Sequence, residues 1–274
     1  MDRGAASLKS KIMSAEEAAQ LVKSGMSIGL SGFTSVGYPK AVPSALAASG
    51  HAKDLIILVG AAVGDDCDGA LVRAGCVKKR FGHQTNKDLR TAINNGSVSF
   101  SDIHISHFPM NLNQQTLQGV DVAIVECVAI TEDGLYLCAS AGSTDAAVHS
   151  ARFVIAEVNT SVPMGLMGMH DIFEVGIPPH ARIINITDPR DRIGTPYVPC
   201  PPEKIAAIVM TDKLDPPQKF KPVTPATQKV GENVVKFLKD EIAAGRLPAD
   251  PGPIQSGVGS VGNAVLSCLA SSGF

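Results

Sequence analysis

Met26-Ser-Ile-Gly-Leu30 reads as a buried strand that runs into the loop Ser31-Gly-Phe-Thr-Ser-Val-Gly37, and Tyr38-Pro-Lys40 then leads into an alanine-rich helix ending near Gly50. Strand, glycine loop and helix in this order form the unit from which α/β proteins build anion sites. Glycines let a ligand approach the backbone, and the helix start aims free N–H groups at it. Upstream, Ser14 and Glu17 make a capping box for a helix running towards Lys23 and stopped by Gly25.

Downstream the pattern repeats. β-branched, nearly continuous apolar runs predict strands over residues 54–60, 120–128, 152–158, 182–186 and 204–210. The turn Thr131-Glu-Asp-Gly134 folds the chain back into Leu135-Tyr-Leu137, and helical spacing over 87–93 is closed by Asn94-Asn-Gly96. Strands that lack polar alternation are buried on both faces, so the expected fold is α/β, a largely parallel sheet covered by helices on both faces.

The stretch Asp215-Pro-Pro-Gln-Lys-Phe-Lys-Pro-Val-Thr-Pro225 is proline-rich and polar, which sets the expected division: a first domain over 1–213, a linker over 214–228, and the opening elements of a second α/β domain over 229–274. In that last part, an amphipathic helix is expected from Gly231 to Gly245, with Val234, Val235, Leu238 and Ile242 on one face. Ile254-Gln-Ser-Gly-Val-Gly-Ser-Val-Gly-Asn-Ala-Val265 reads as a short strand, a glycine turn and a helix start, Gly257, Gly259 and Gly262 being free to take positive φ.

The 274 residues carry a net charge of −2, so no basic field draws nucleic acid. Six scattered cysteines without a C-x-x-C pair argue against a disulfide framework or a zinc site and for a reducing compartment. The apolar runs are strand-sized, too short to span a bilayer. A cytoplasmic location is expected; the mildly basic N-terminus leaves a mitochondrial or related organelle open, with Asp2 against it.

Gly32, Phe33, Thr34 and Gly37 are expected to line a cleft, with Lys40 either meeting a phosphate or carboxylate there or lying in water. Asp102, His104 and His107 lack a third clear metal ligand, and Asp65, Asp66 and Asp68 read as a solvated polar turn before a Mg²⁺ site; no metal is expected. Arg190 and Arg192 suit either phosphate or an ion-paired turn. Met164, Met167 and Met169 form either an adaptable surface or core filler, and Cys268 reads as a small core residue.

In order, Ser31-Gly-Phe-Thr-Ser-Val-Gly-Tyr-Pro-Lys40, Val98-Ser-Phe-Ser-Asp102, Val120-Asp-Val-Ala-Ile-Val-Glu126, Asp191-Arg-Ile-Gly-Thr195, Asn233-Val-Val-Lys-Phe-Leu238 and Ile254-Gln-Ser-Gly-Val-Gly259 resemble the acetyl-CoA hydrolase/transferase group of class I CoA-transferases, the acetate and propionate:succinyl-CoA type, over its front half. The resemblance implies a CoA-transferase N-terminal domain that exchanges CoA between an acyl-CoA and a small carboxylate (acetate, succinate or propionate). It implies coenzyme A thioester as substrate, no permanently bound cofactor, and a homo-oligomer at full length. The chemistry implied is nucleophilic: a glutamate attacks the acyl-CoA and passes through an acyl-glutamyl anhydride to a glutamyl-CoA thioester. Gln255, Ser256, Gly257, Val258 and Gly259 match the segment that contacts CoA and offers N–H groups to an oxyanion. The family glutamate, in a Tyr-[Ser/Thr]-Glu-Val-like motif, and a closing glycine-rich loop are expected beyond Phe274. No residue here is therefore expected as nucleophile, Glu126 being read as a strand-end carboxylate accepting N–H bonds or lining a domain interface. A non-catalytic CoA- or phosphate-binding module, a split subunit that needs a partner chain, and a sugar-phosphate isomerase or deaminase of similar architecture are the alternatives.

Overall fold

The computed structural model describes residues 3–62, 64–216, 222–252, 254–257 and 259–273. They fall into two compact units, Met1–Pro216 and Pro217–Phe274.

In the first unit the strands are β1 Ser27–Leu30, β2 Leu55–Leu58, β3 Val77–Phe81, β4 Ser99–Ser101, β5 Val120–Ile130, β6 Gly134–Leu137, β7 Ala151–Asn159, β8 Val198–Pro199 and β9 Ile205–Thr211. β4, β3, β2, β1, β5, β7 and β9 pair side by side and all parallel. β6 turns back antiparallel on the end of β5, and β8 pairs antiparallel with β6. The strand order reverses between β1 and β5, which is where an open α/β sheet leaves a crevice beyond its carboxyl ends.

Side-chain alternation divides the core in two. On one face Ile28, Leu30, Val122, Ile124 and Ile155 pack with helices α1 Ala15–Ala19, α2 Ala41–Ser49, α3 Ala70–Arg73 and α4 Lys87–Asn94 through Ala18, Leu46, Leu71 and Leu89. On the other, Ala123, Val125, Val154 and Ala156 pack with α5 Phe108–Asn113 and α6 Thr144–Ser150 through Phe108, Leu112 and Ala147. The expected double coverage is observed. The capping box is present too: Glu17 N donates to Ser14 Oγ at 3.1 Å and Ser14 N to Glu17 Oε2 at 2.9 Å.

In this unit one expected strand is absent, and one observed inner strand was not expected. Residues 182–186 form no strand: the backbone is irregular and Ile183 is 82% exposed, because β-branched residues make a strand only where a neighbour accepts their N–H groups. Conversely, Val77-Lys-Lys-Arg-Phe81 is an inner strand in spite of its charges. Arg80 within it is buried, donating to Val59 O at 3.0 Å and facing Asp68 Oδ2 at 3.4 Å.

The second unit consists of α7 Pro225–Ala243 and α8 Ser260–Ala270. α7 starts earlier than expected, inside the expected linker 214–228, since Thr224 and Thr227 make a capping box and Pro225 takes the first turn, where no N–H is needed. α7 and α8 pack closely at Gly231, whose missing Cβ would lie 2.6 Å from Cys268 Sγ. Residues 254–257 form no strand, there being no strand in this unit, among the described residues, for them to pair with.

Candidate functional site

The loop after β1 is built on two close approaches. Gly32 has φ +104 and Gly37 φ +67; a Cβ on Gly32 would lie 2.9 Å from Tyr38 N, and one on Gly37 2.7 Å from Ser140 Oγ. Thr34 also takes positive φ, and its N–H donates to Ala61 O at 2.9 Å, tying the loop to the exit of β2. Ser140 binds the loop twice, accepting from Phe33 N at 3.0 Å and donating to Val36 O at 2.7 Å. Gly142, with φ +56, completes the contact, its Cβ position being 2.2 Å from Gly32 O.

Next to this loop, residues from β5, the carboxyl end of β7 and the exit of β1 meet in a buried polar cluster. Lys40 Nζ donates to Glu126 Oε2, to Tyr38 O at 2.9 Å and to Asp215 Oδ1 at 2.7 Å. Asn159 Nδ2 donates to the second Glu126 oxygen at 2.6 Å, and Glu126 N donates to Ser31 Oγ at 2.9 Å. Glu157 takes the three N–H groups that open α2, from Lys40 at 2.8 Å, Ala41 at 3.0 Å and Val42 at 2.6 Å, doing what an N-cap side chain ordinarily does. Lys40 and Glu126 are each 1% exposed. Burial pushes the Glu126 carboxyl up while Lys40 and Asn159 pull it down; burial pulls Lys40 down, but Glu126 and Asp215 outweigh it and hold the ammonium above its ordinary value.

These contacts correct the expectations for Lys40, Asp215, Glu126 and Asp68. Lys40 is neither in water nor available to a phosphate, since two carboxylates and a carbonyl already fill its donors. Asp215 is not free linker; it holds Gly37 N at 3.1 Å as well as Lys40. Glu126 does accept N–H bonds, from side chains, but stands inside β5. Asp68 is likewise no solvated carboxylate but the buried partner of Arg80, with burial raising its pKa against that guanidinium. Lys40 and Glu126 were each legible as residue types; nothing in their spacing announced the pair.

A cleft of about 410 Å³ opens between Phe33, Ala61, Ile105, Pro109 and residues 140–143. Its walls are uncharged, with two hydroxyls, Ser140 and Ser143. Phe33 alone of the four expected cleft residues lines it; Gly32, Thr34 and Gly37 shape the loop behind.

None of the other candidates of the first unit lines this cleft. His104 Nδ1 bonds Ser106 Oγ at 2.8 Å, and no group of three or more His, Cys, Asp or Glu suited to a metal occurs among the described residues. Arg190 pairs with Asp188 at 2.8 Å, and Arg192 donates to Gly168 O at 2.9 Å and to His170 O. Met169 is 65% exposed, while Cys268 is buried. In the second unit Gln255, Ser256, Gly257 and Gly259 precede α8; Val258 lies outside the described residues. Only Gly259 of the three glycines has positive φ, +148, whereas Gly262 sits within α8 and lets Gly257 O approach, its Cβ position being 2.5 Å away.

Residues 2–210 match the model of the acetyl-CoA hydrolase/transferase N-terminal domain. The chain belongs to the acetyl-CoA hydrolase/transferase family. It is 42% identical to a succinyl-CoA:acetate CoA-transferase of Clostridium kluyveri, over 97% of this chain and 51% of that protein. It is 37% identical to an acetyl-CoA hydrolase of Schizosaccharomyces pombe over 97% of this chain and 56% of that protein, and 35% identical to a propanoyl-CoA:succinate CoA transferase of Escherichia coli over 94% and 54%. This family member thus spans about half the length of the curated relatives it matches. Among solved structures, RipA from Yersinia pestis superposes with a TM-score of 0.66 at 17% identity, over 95% of this chain and 53% of that one. Glutaconate coenzyme A-transferase from Acidaminococcus fermentans gives 0.52 at 17%, over 74% and 76%. Both share the fold. No helix among the described residues is long and apolar enough to cross a membrane.

Proposed function

We propose that this chain is part of an acyl-CoA:carboxylate CoA-transferase of the acetate/succinyl-CoA type, or of an acetyl-CoA hydrolase, with acetate, succinate or propionate as the carboxylate. The observation that carries the reading is the 42% identity to a succinyl-CoA:acetate CoA-transferase across nearly the whole chain. The geometry agrees in kind: the glycine-shaped loop follows β1, one of the two strands between which strand order reverses, where α/β sheets receive ligands, and its Phe33 lines a cleft.

Within this reading the reaction passes through a glutamyl-CoA thioester on a glutamate that is not among these 274 residues. Glu126 is unsuited to the attack because Lys40 and Asn159 occupy its oxygens. By their resemblance to the family's segment, Gln255, Ser256, Gly257, Val258 and Gly259 are assigned to CoA and to the oxyanion, and α8, whose first N–H groups have no intrahelical acceptor, begins right after them. The cleft walls contain no carboxylate or imidazole for acid–base work, which disfavours an isomerase or deaminase.

Titration calorimetry with CoA, alongside an assay with succinyl-CoA and acetate, tests this. CoA binding without acetyl-CoA formation is expected; acetyl-CoA formed at ordinary enzymatic rates by this chain alone sinks the assignment of the nucleophile, and absence of CoA binding sinks the reading.

A further inference from the structure

Past β9 the chain leaves the sheet under restraint from the exit of β7. Thr160 N donates to Thr211 O at 2.7 Å, Ser161 Oγ to Asp212 O at 2.6 Å and Asn159 Nδ2 to Lys213 O at 2.7 Å. This strap carries Asp215 to the far end of the 31–37 loop. There Gly37 N donates to both carboxylate oxygens, at 3.2 and 3.1 Å, and Lys40 Nζ pairs with Oδ1 at 2.7 Å. A backbone N–H and an ammonium that converge on one carboxylate make a charge-assisted seat. The two carboxylates on Lys40 differ in access: the Glu126 side chain is 1% exposed and that of Asp215 23%. Asp215 is therefore the member that can withdraw while Lys40 stays paired.

We propose that Asp215 is a latch on the cleft loop: it fills a carboxylate seat made by the Gly37 N–H and the Lys40 ammonium, and through it the exit of β9 sets the Gly37 end of the loop. The Phe33 end, which lines the cleft, is mounted separately on Ser140 Oγ at 3.0 Å, so opening the latch frees one end of the loop and not the other. The strap presents its carboxylate at a high effective concentration, and in its absence a free carboxylate takes the seat only when abundant. The latch does not rest on the proposed function.

Amide exchange read by NMR on the whole chain tests this. Asp215→Ala should speed exchange at Gly37 by roughly tenfold or more, with Phe33 and, in the central strand β5, Ile124 still protected. Sodium formate, the smallest carboxylate, should restore Gly37 protection in Asp215→Ala where sodium chloride at the same ionic strength does not, and should leave the parent chain unchanged. Asp215→Asn keeps an oxygen for Gly37 N but loses the charge, and should fall between the parent and Asp215→Ala. The inference is overturned if Gly37 exchanges no faster in Asp215→Ala, if formate acts no better than chloride, or if Asp215→Asn protects Gly37 as well as the parent does. It is overturned equally if Phe33 is freed as far as Gly37, or if Ile124 loses protection in both variants, since Asp215 would then hold the fold and not one end of the loop.

Discussion

Asp215 Oδ1 lies 2.7 Å from Lys40 Nζ, so a residue just past the last strand of the first unit neutralises a lysine at the start of its second helix. The same ammonium holds Glu126, and one cation between two carboxylates makes Lys40 the member whose loss costs most. Lys40→Met strands Glu126 inside the core without its cation, and the expected loss is roughly 3–5 kcal/mol, the usual cost of breaking a buried pair from one side. Asp215→Asn should cost far less, about 1 kcal/mol, because that side chain is 23% exposed and water partly replaces it. Urea unfolding of the two variants checks the order; equal losses would show that the cluster does not discriminate between its buried and its solvent-facing member.

Cys200 is 1% exposed, and burial raises its thiol from 9.0 to about 11, with Lys204 opposing and Glu203 assisting. A group whose pKa is raised on folding stabilises the fold fully below the unfolded value and loses that contribution as pH rises through the folded one. Stability should therefore fall between pH 9.0 and about 11, Cys200 contributing on the order of 2 kcal/mol to the loss. Denaturant midpoints across that window should decline more gently in Cys200→Ala than in the parent chain. Parallel slopes would refute the assignment.

Parallel strands were legible where apolar character was continuous, as in Val120-Asp-Val-Ala-Ile-Val125, in which residues 122–125 alternate between the two cores. β3 was not, because Lys78, Lys79 and Arg80 interrupt its apolar character, and Val59 O and Asp68, which help to hold Arg80 in the core, come from other segments. Residues 182–186 failed in the opposite sense, having strand propensity without a neighbour. For the site, the loop over 31–37 announced itself through Gly32 and Gly37. Residues 140–143 did not, since nothing in Ser-Ala-Gly-Ser shows that Gly142 packs on Gly32 O or that Ser143 faces a cleft; such contacts depend on tertiary placement.

Gly142 is where that placement is most constrained. With φ +56 it occupies left-handed backbone, and a Cβ would lie 2.2 Å from a carbonyl oxygen that belongs to the facing loop. Gly142→Ala should push residues 140–143 off the 31–37 loop, costing roughly 1–3 kcal/mol and disturbing Ser140, whose bonds to Phe33 and Val36 span the same gap. Faster amide exchange at Phe33 than in the parent chain is the local signature. A variant that loses stability while Phe33 keeps its protection would place the strain elsewhere.

Gly231 sits in the middle of α7, where glycine ordinarily costs about 1 kcal/mol against alanine. Packing against α8 explains its presence: a Cβ there would lie 2.6 Å from Cys268 Sγ and 2.8 Å from Ala264 O. Propensity and packing thus give opposite signs for Gly231→Ala, and the contact distances decide in favour of destabilisation, since the backbone oxygen cannot swing away as a side chain can. The expected net loss is roughly 1–2 kcal/mol, read as an earlier loss of helical circular dichroism on heating. Cys268→Ala removes the sulfur but leaves the Ala264 carbonyl, so the double variant should recover only part of the loss relative to Cys268→Ala alone. Full recovery would locate the conflict entirely at the thiol; a gain in stability from Gly231→Ala by itself would show that the two helices separate at little cost and that propensity governs this position.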